Sequence, residues 1–483
     1  MLPRGDYLDK MVVVLSFPAI LNFMLVPLVG AADTFWVGKM GNAAALAGQG
    51  AANQVFSTTF WVLGFLPSVI TPLVASAYGK GDMEGVRKHI AEALFLATFI
   101  GTIGMTLVVL IPQILVSVVI PSGAPAMEYA VPYILARGAS FVPAMLTTVG
   151  FATFRGTLDT FTPLMVSAFS NLFHIALLPI FVLKLGFGVV GAGLATCISD
   201  VVSCSVYLTI LLRKKFIESS SLFRVPTLAA ISELMSAGFS VQLRTLAMNS
   251  VFIVGSGRIQ AMDLTGTSAA AHTIATQLWS IGGVILLAMS TVAAILVPKA
   301  MATASIDGDL VSARHTANRM LIWGLIVGCI LAAVQLSMIP LLNVFTPLEE
   351  VREAARVPFT ISAAMQIMNG VVFVGEGVMQ GHRAFRQLAV NTVLAMIVLQ
   401  LTIPILGTSL PGVWCSYFVF NVGRLIGVLY HHFYQVGPHK VCCSLCPLFL
   451  FPFICSSVTS VPVSLLLFLC CLRLKCFPRA RWR

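Results

Sequence analysis

The sequence predicts an all-α membrane protein of twelve transmembrane helices, arranged as two six-helix lobes related by pseudo-two-fold symmetry. Three observations predict it: too little charge for a water-facing surface, a succession of apolar runs of spanning length, and an internal repeat of steady spacing. Of 483 residues, 58% are hydrophobic and 10% charged, and the mean hydropathy is +0.95. Soluble domains carry about 25% charged residues, so this chain cannot clothe itself in polar side chains. A formal net charge of +11 would suggest nucleic acid in a soluble protein. Here the Lys and Arg fall in short loops between apolar runs, where they act as topology signals.

Twelve runs reach the ~20 residues a spanning helix needs. They cover 11–35, 43–77, 90–119, 128–153, 163–185, 189–212, 234–260, 268–300, 318–345, 358–380, 388–408 and 412–433. The second and eighth are too long for a perpendicular span and contain Pro67, Pro72 and Pro298. Tilt, a kink or extension past the bilayer would accommodate them. The N-terminus and the loops after even-numbered runs hold fifteen Lys and Arg, Arg155, Arg314 and Arg319 among them. The loops after odd-numbered runs hold four. That bias places the N-terminus in the cytosol. The short N-terminus is mixed in charge (Arg4, Asp6, Asp9, Lys10) and shows no evident signal peptide.

The chain repeats itself. Gly81-Asp82, then Arg87, follows the second run. Gly308-Asp309, then Arg314, follows the eighth, 227 residues later. Leu46-Ala47 and Ala270-Ala271 are offset by 224, Gly191 and Gly412 by 221. Six spans is an even number, so both halves share one orientation, a transporter architecture with its site between or within the halves. The expected organisation is an N-terminal lobe at 1–212, a cytosolic linker at 213–233 and a C-terminal lobe at 234–433. The tail, 434–483, holds seven of the eleven cysteines and lacks the Gly/Ala pattern of the runs. It reads as a non-conforming end without a transport role. Pro447, Pro452 and Pro462 argue against a thirteenth span there. No Cys has a His at zinc-site spacing, so neither a metal site nor a disulfide framework is expected.

Asp33 stands near the end of the first run. A carboxylate at a helix centre in the bilayer costs about 2.5–3.5 kcal/mol, so it is functional, paired, or an interfacial cap beside Gly38 and Gly41. Residue spacing leaves these readings open.

Several stretches resemble the multidrug and toxic compound extrusion (MATE) family, in its DinF-like, plant and algal branch: PLVGAADTFWVGKMGNAAALAGQG (27–50), ASAYGKGDMEGVRK (75–88), FRGTLDTFTPL (154–164), GVVGAGLATCIS (188–199), AAAHTIATQLW (269–279) and FVGEGVMQGHRAF (373–385). The resemblance covers residues 12–433. It implies two lobes around a central cleft and export of organic cations, anions or metabolites in exchange for H⁺ or Na⁺, with no cofactor. On that resemblance Asp33 is the first-helix coupling carboxylate, and Glu376 matches a helix-ten carboxylate. The family's Asn and Asp on helix five read here as His174 and Leu178, before Pro179. The missing acid weakens a Na⁺ site, since a hard cation wants several oxygens, and His174 could titrate instead. Thr196 matches a helix-six hydroxyl. Asp200, one turn on, could replace the lost carboxylate. Arg244, Gln277 and Asn171 are placed along the substrate cleft.

Bland readings stand beside these. His174 could be a hydrogen-bonded core histidine, Asp200 a paired carboxylate, and Glu376 an ion-pair partner of Arg244 or Arg424. The expected function is a secondary active exporter acting as a monomer on small organic substrates in a bilayer, without nucleic acid. The rivals are a lipid-linked precursor flippase and a non-transporting scaffold or receptor. The sequence holds no Walker motif or Ser/His/Asp arrangement, so an enzyme is not expected.

Overall fold

The computed structural model describes residues 3–435, apart from 121–123, 219–225, 263–266, 308–309 and 343–347. Among these residues all regular structure is helical. The tail therefore lies almost wholly outside the described residues. The same holds for Gly308-Asp309, the second copy of one repeat signal.

Caps explain the starts in the first half. α1 (Tyr7–Gly38) opens at Asp6, whose carboxylate accepts from the Asp9 amide at 3.1 Å. α2 (Ala43–Leu63) opens at Asn42, which accepts from Ala44 and Ala45. Such caps satisfy amides that have no partner within the helix. α2 stops at Gly64, and α3 (Leu66–Gly79) starts with Pro67 in its first turn. The long second run is thus divided by its glycine and proline. α4 (Met83–Leu110) is capped by Asp82, which accepts from Gly85 at 2.8 Å. A short helix, α5 (Pro112–Ser117), follows. The fourth run is also divided, into α6 (Met127–Gly138) and α7 (Phe141–Gly156), bent by 53° at Ala139-Ser140. Pro143, in the first turn of α7, has no N–H for the Ala139 carbonyl four residues before it, which breaks the helix at that point. α8 (Phe161–Pro179) ends in a π-helical turn, Ile180–Lys184, and α9 (Gly188–Arg213) closes the first half.

The second half comprises α10 (Leu228–Gln260), α11 (Thr267–Asp307), α12 (Leu310–Ser337), α13 (Glu349–Gly381), α14 (Phe385–Leu406) and α15 (Leu410–Tyr430). α11 runs unbroken through Pro298 for 41 residues. At ~1.5 Å per residue it is about twice the ~30 Å hydrocarbon thickness, so it extends past the bilayer core. Eleven described helices have span length and apolarity, twelve when the bent α6–α7 pair counts as one. A π-helical turn, His431–Gln435, is the described part of a separate compact unit.

The apolar core is divided. One cluster, around Leu66, Ile70, Phe141 and Tyr207, belongs almost wholly to the first half. Another, around Phe359, Trp414 and Tyr417, belongs to the second. A third crosses between them: Val12 and Leu15 of α1 pack with Met289 and Val292 of α11, Met320 of α12 and Val374 of α13. At the basic end, which carries Lys80, Arg87, Lys88 and Lys299, Gly79 of α3 lies against Lys299 and Ala302 of α11, where a Cβ would come within 3.0–3.1 Å.

Local structure also repeats. Gly191 and Gly412 sit in the first turn of α9 and α15, each against a carbonyl at the end of the preceding element, Phe181 and Leu406 respectively. Larger side chains there would collide with backbone. In the second half α12 and α13 touch backbone to backbone, with Gly324 against the Gly370 carbonyl and Gly370 against that of Gly324.

Candidate functional site

Polar side chains gather at two places inside this apolar frame. The first lies within the first half. α1 brings Asp33 and α8 brings His174, with His174 Nε2 2.8 Å from Asp33 Oδ1. Asp33 is 6% exposed and His174 2%. His174 Nδ1 is enclosed and lacks a hydrogen-bond partner among the described residues. The α8 sequence accounts for the placement. His174 and Leu178 are one turn apart and both buried, so they share the inward face, with Leu178 supplying packing where the family pattern has an acid.

Arg137 of α6 faces this pair. Its guanidinium donates to the Tyr133 hydroxyl at 3.0 Å and to Asn53 Oδ1 of α2, and lies over the Phe56 ring. The charges of Asp33 and Asp200 both act on it. Asp200, half-buried on α9, also feels His174. The structure therefore brings Asp33, His174 and Asp200 into one cluster, as the sequence suggested, and adds Arg137, Tyr133 and Asn53. Sequence reasoning missed these three. The signal was present: a lone arginine inside an apolar run, with a tyrosine one turn before it. Thr196 turns away from the carboxylates and donates to the Ala192 carbonyl of its own helix at 3.1 Å. Asn171 is half-buried on α8.

The second place lies within the second half. Glu376 of α13 accepts from Arg424 Nε of α15 at 2.9 Å and from Arg244 Nη2 of α10. Arg424 also donates to Asn421 at 2.9 Å and lies over the rings of Phe373 and Phe420. Both ion pairs weighed from the sequence are present together. Gln277 is exposed on α11, while His272 of the same helix is buried and meets Ser256 at 3.3 Å and Thr276 at 3.4 Å. Among the described residues no cluster of three His, Cys, Asp or Glu could hold a metal.

A further constellation bridges the halves. Arg319 of α12 is 1% exposed. It donates to Asp6 Oδ2 at 3.0 Å and Asp9 Oδ2 at 3.1 Å, and Trp323 Nε1 donates to Asp9 Oδ1 at 2.8 Å. The amides of Arg4 and Gly5 complete the Asp9 carboxylate. Arg319 is therefore not the free loop charge that its place after the eighth run suggested. Arg155 is likewise buried, against the Phe151 ring. Both were counted as loop cations because sequence distance from an apolar run does not report pairing or packing.

Outside the spans, Asp159 joins α7 to α8. It accepts from the Thr162 amide at 2.8 Å, the Thr162 hydroxyl at 2.6 Å and Lys214 Nζ at 3.0 Å. Burial pushes its carboxyl up, but these donors outweigh burial and hold it below the ordinary value of 3.8.

Comparison with known proteins supplies the remaining observation. The family model described as MatE matches residues 18–180 and 245–406. The chain is 26% identical over 441 residues to Protein DETOXIFICATION 44, chloroplastic, of Arabidopsis thaliana, covering 88% of this chain and 82% of the relative. It is 24% identical over 436 residues to the probable multidrug resistance protein NorM of Thermotoga maritima, covering 89% and 91%. A solved structure described as the outward-facing conformation of a multidrug resistance MATE family transporter superposes with a TM-score of 0.77 at 20% identity. It covers 89% of this chain and 96% of that one.

Proposed function

This chain belongs to the MatE family, and we propose that it is a secondary active exporter of organic compounds, exchanging substrate for H⁺ by alternating access. The observation that carries the coupling is the buried Asp33–His174 pair. In that cluster two carboxylates, Asp33 and Asp200, face one guanidinium, Arg137. With both carboxylates ionised and His174 neutral, the cluster would carry one uncompensated negative charge in a poorly hydrated place, which is costly. A proton on the vacant His174 Nδ1 restores balance, and its departure restores the deficit. The two protonation states therefore favour different packing of α1 against α8, the kind of bias that turns ion binding into a population shift. Leu178 stands where a carboxylate would add oxygen ligands, which favours H⁺ over Na⁺.

The charge bias of the loops sets the N-terminus and the basic end in the cytosol. The halves meet at that end through Gly79, Lys299 and the Asp9–Arg319 pair. This conformation is accordingly the one closed to the cytosol. Flux through the protein in proteoliposomes tests the reading. Dye movement is expected to follow an imposed ΔpH and to be lost in Asp33→Asn and in His174→Gln. Full ΔpH-driven movement in both variants would overturn the assignment, and movement driven by ΔNa⁺ alone would transfer coupling to sodium.

A further inference from the structure

We propose that Arg244 is the docking group for an organic anion, so that the exported substrate carries a carboxylate or a similar acidic group. This deepens the exporter reading and rests on it. The argument begins with charge. Glu376 is shared by Arg244 and Arg424, so two guanidinium groups face one carboxylate. Among the described residues no second carboxylate pairs with either arginine. Glu376 is the one acidic residue in the sequence between Glu353 and Tyr430. The other described acids of the second half, Glu233, Asp307, Glu349, Glu350 and Glu353, lie within two turns of a helix end. Ionised, the triad carries one excess positive charge. Protonated at Glu376, it would carry two. Either is expensive inside a membrane unless an anion is supplied from outside the protein.

The donors show where that anion would bind. Arg424 Nη2 and Arg244 Nε are enclosed and without hydrogen-bond partners among the described residues. Arginine presents its donors as a planar fork that suits the two oxygens of a carboxylate. Exposure singles out Arg244. Its side chain is 20% exposed, while those of Glu376 and Arg424 are 3%. The helix that carries Arg244, α10, borders the first half on another of its faces. Two residues before Arg244, Gln242 donates to the Trp61 carbonyl of α2 at 3.0 Å, and Gly238 of the same helix abuts the Phe65 ring. By exposure, Arg244 is the member of the triad that a molecule from outside reaches first. Glu376 then acts as the internal counter-ion, which holds both arginines in place while the site is empty and gives up part of Arg244 when an anion arrives. The first-half cluster has the opposite imbalance, one negative charge. The two clusters thus divide the work, a cation site for coupling and an anion site for cargo.

Two xanthene dyes of opposite charge test this on the full-length protein in nanodiscs and proteoliposomes: fluorescein, a carboxylate, and rhodamine 6G, an esterified cation. Fluorescein is expected to bind by fluorescence anisotropy and to be exported. Arg244→Gln should weaken its binding about tenfold or more, as expected for loss of a charged hydrogen bond, and Arg244→Lys should recover part of that. Binding and export of rhodamine 6G without fluorescein binding would overturn the inference and leave the exporter reading standing. So would unchanged fluorescein binding in a folded Arg244→Gln variant. If Arg244→Gln fails to fold, the comparison of the two dyes on the unaltered protein still decides. Fluorescein binding that depends on Arg244, with no gradient-driven flux of either dye, would instead sink the exporter reading and uphold the anion site.

Discussion

Replacing Arg319 with methionine removes the guanidinium that ties Asp6 and Asp9 of α1 to α12. Methionine keeps an apolar stem of similar reach, so the loss is of charge and donors rather than volume. Breaking a buried ion pair by removing one partner costs about 3–5 kcal/mol. The lower end, ~3 kcal/mol, applies here, because Trp323 Nε1 and the amides of Arg4 and Gly5 still serve Asp9. The cost falls on only one conformation. Arg319 and Asp9 are 310 residues apart on opposite halves, so when this end opens both reach water and the pair contributes little. About 3 kcal/mol is roughly two powers of ten in the balance between closed and open. Ala302 reports that balance. It is 2% exposed and lies against Gly79 across the same seam. In an Ala302→Cys protein, maleimide labelling of that peptide, followed by mass spectrometry, should be slow. Adding Arg319→Met should speed it about a hundredfold when closing is faster than labelling, so that the rate follows the open population. Asp9→Asn should do the same, and the two together should add less than their sum, since they remove one interaction. Unchanged labelling of Cys at 302 in Arg319→Met, or strict additivity with Asp9→Asn, would refute the pair as a clasp between halves.

Other outcomes follow from the same geometry. Arg137→Gln removes the guanidinium on which the charges of both Asp33 and Asp200 act; thermal unfolding should shift down by an amount worth about 3 kcal/mol. Asp200→Asn should return part of it in the double variant. Gly370→Val drives a side chain into the Gly324 carbonyl and should cost ~3 kcal/mol or prevent folding, read as loss of monodisperse protein. Asp159 has its folded-state pKa depressed, so its contribution is fully present above the ordinary value of 3.8 and is lost as pH falls through the lower folded value. Asp159→Asn should abolish that acid limb of a stability–pH profile; its amide oxygen still accepts from the Thr162 N–H, so stability at neutral pH should fall by no more than about 1 kcal/mol, through loss of the charge that faces Lys214.

Much of the fold could be read in the residues, because a bilayer imposes coarse demands on a chain. Apolar length locates spans, and Pro67 beside Gly64 locates the break in the second. The bend at Ala139-Ser140 carries a mark of the same kind, Pro143, whose missing N–H leaves the Ala139 carbonyl unbonded; it was passed over in reading the fourth run as one unbroken span. Carboxylates at depth are conspicuous for the same reason, which is why Asp33, Asp200 and Glu376 stood out. Their partners were harder to see. Arg424 and Arg244 could be guessed, since arginine in an apolar run needs an acid. Arg137 was equally exceptional in its run and was passed over. Arg319 was misread because it lies near a loop in sequence but under α1 in space. Partner identity is a matter of long-range contact, and a single chain read residue by residue records which groups require a partner without recording where that partner lies.

The glycine joint between α12 and α13 has a mechanical consequence. Gly324 and Gly370 meet with no side chains between them, so the two helices cannot slide or roll independently without backbone collision. Counting from that joint toward the basic end, Arg319 lies five residues along α12 and Glu376 six along α13, each about 8–9 Å away. The counter-ion of the anion site and the cation of the clasp are therefore mounted on one stiff plate. On the proposed anion site, a displacement of Glu376 when an anion draws Arg244 aside would reach α12, and with it Arg319, through this backbone contact. A wedge at the joint would cut that transmission, leaving a protein that still loads its cargo and still clasps its halves but no longer times one to the other.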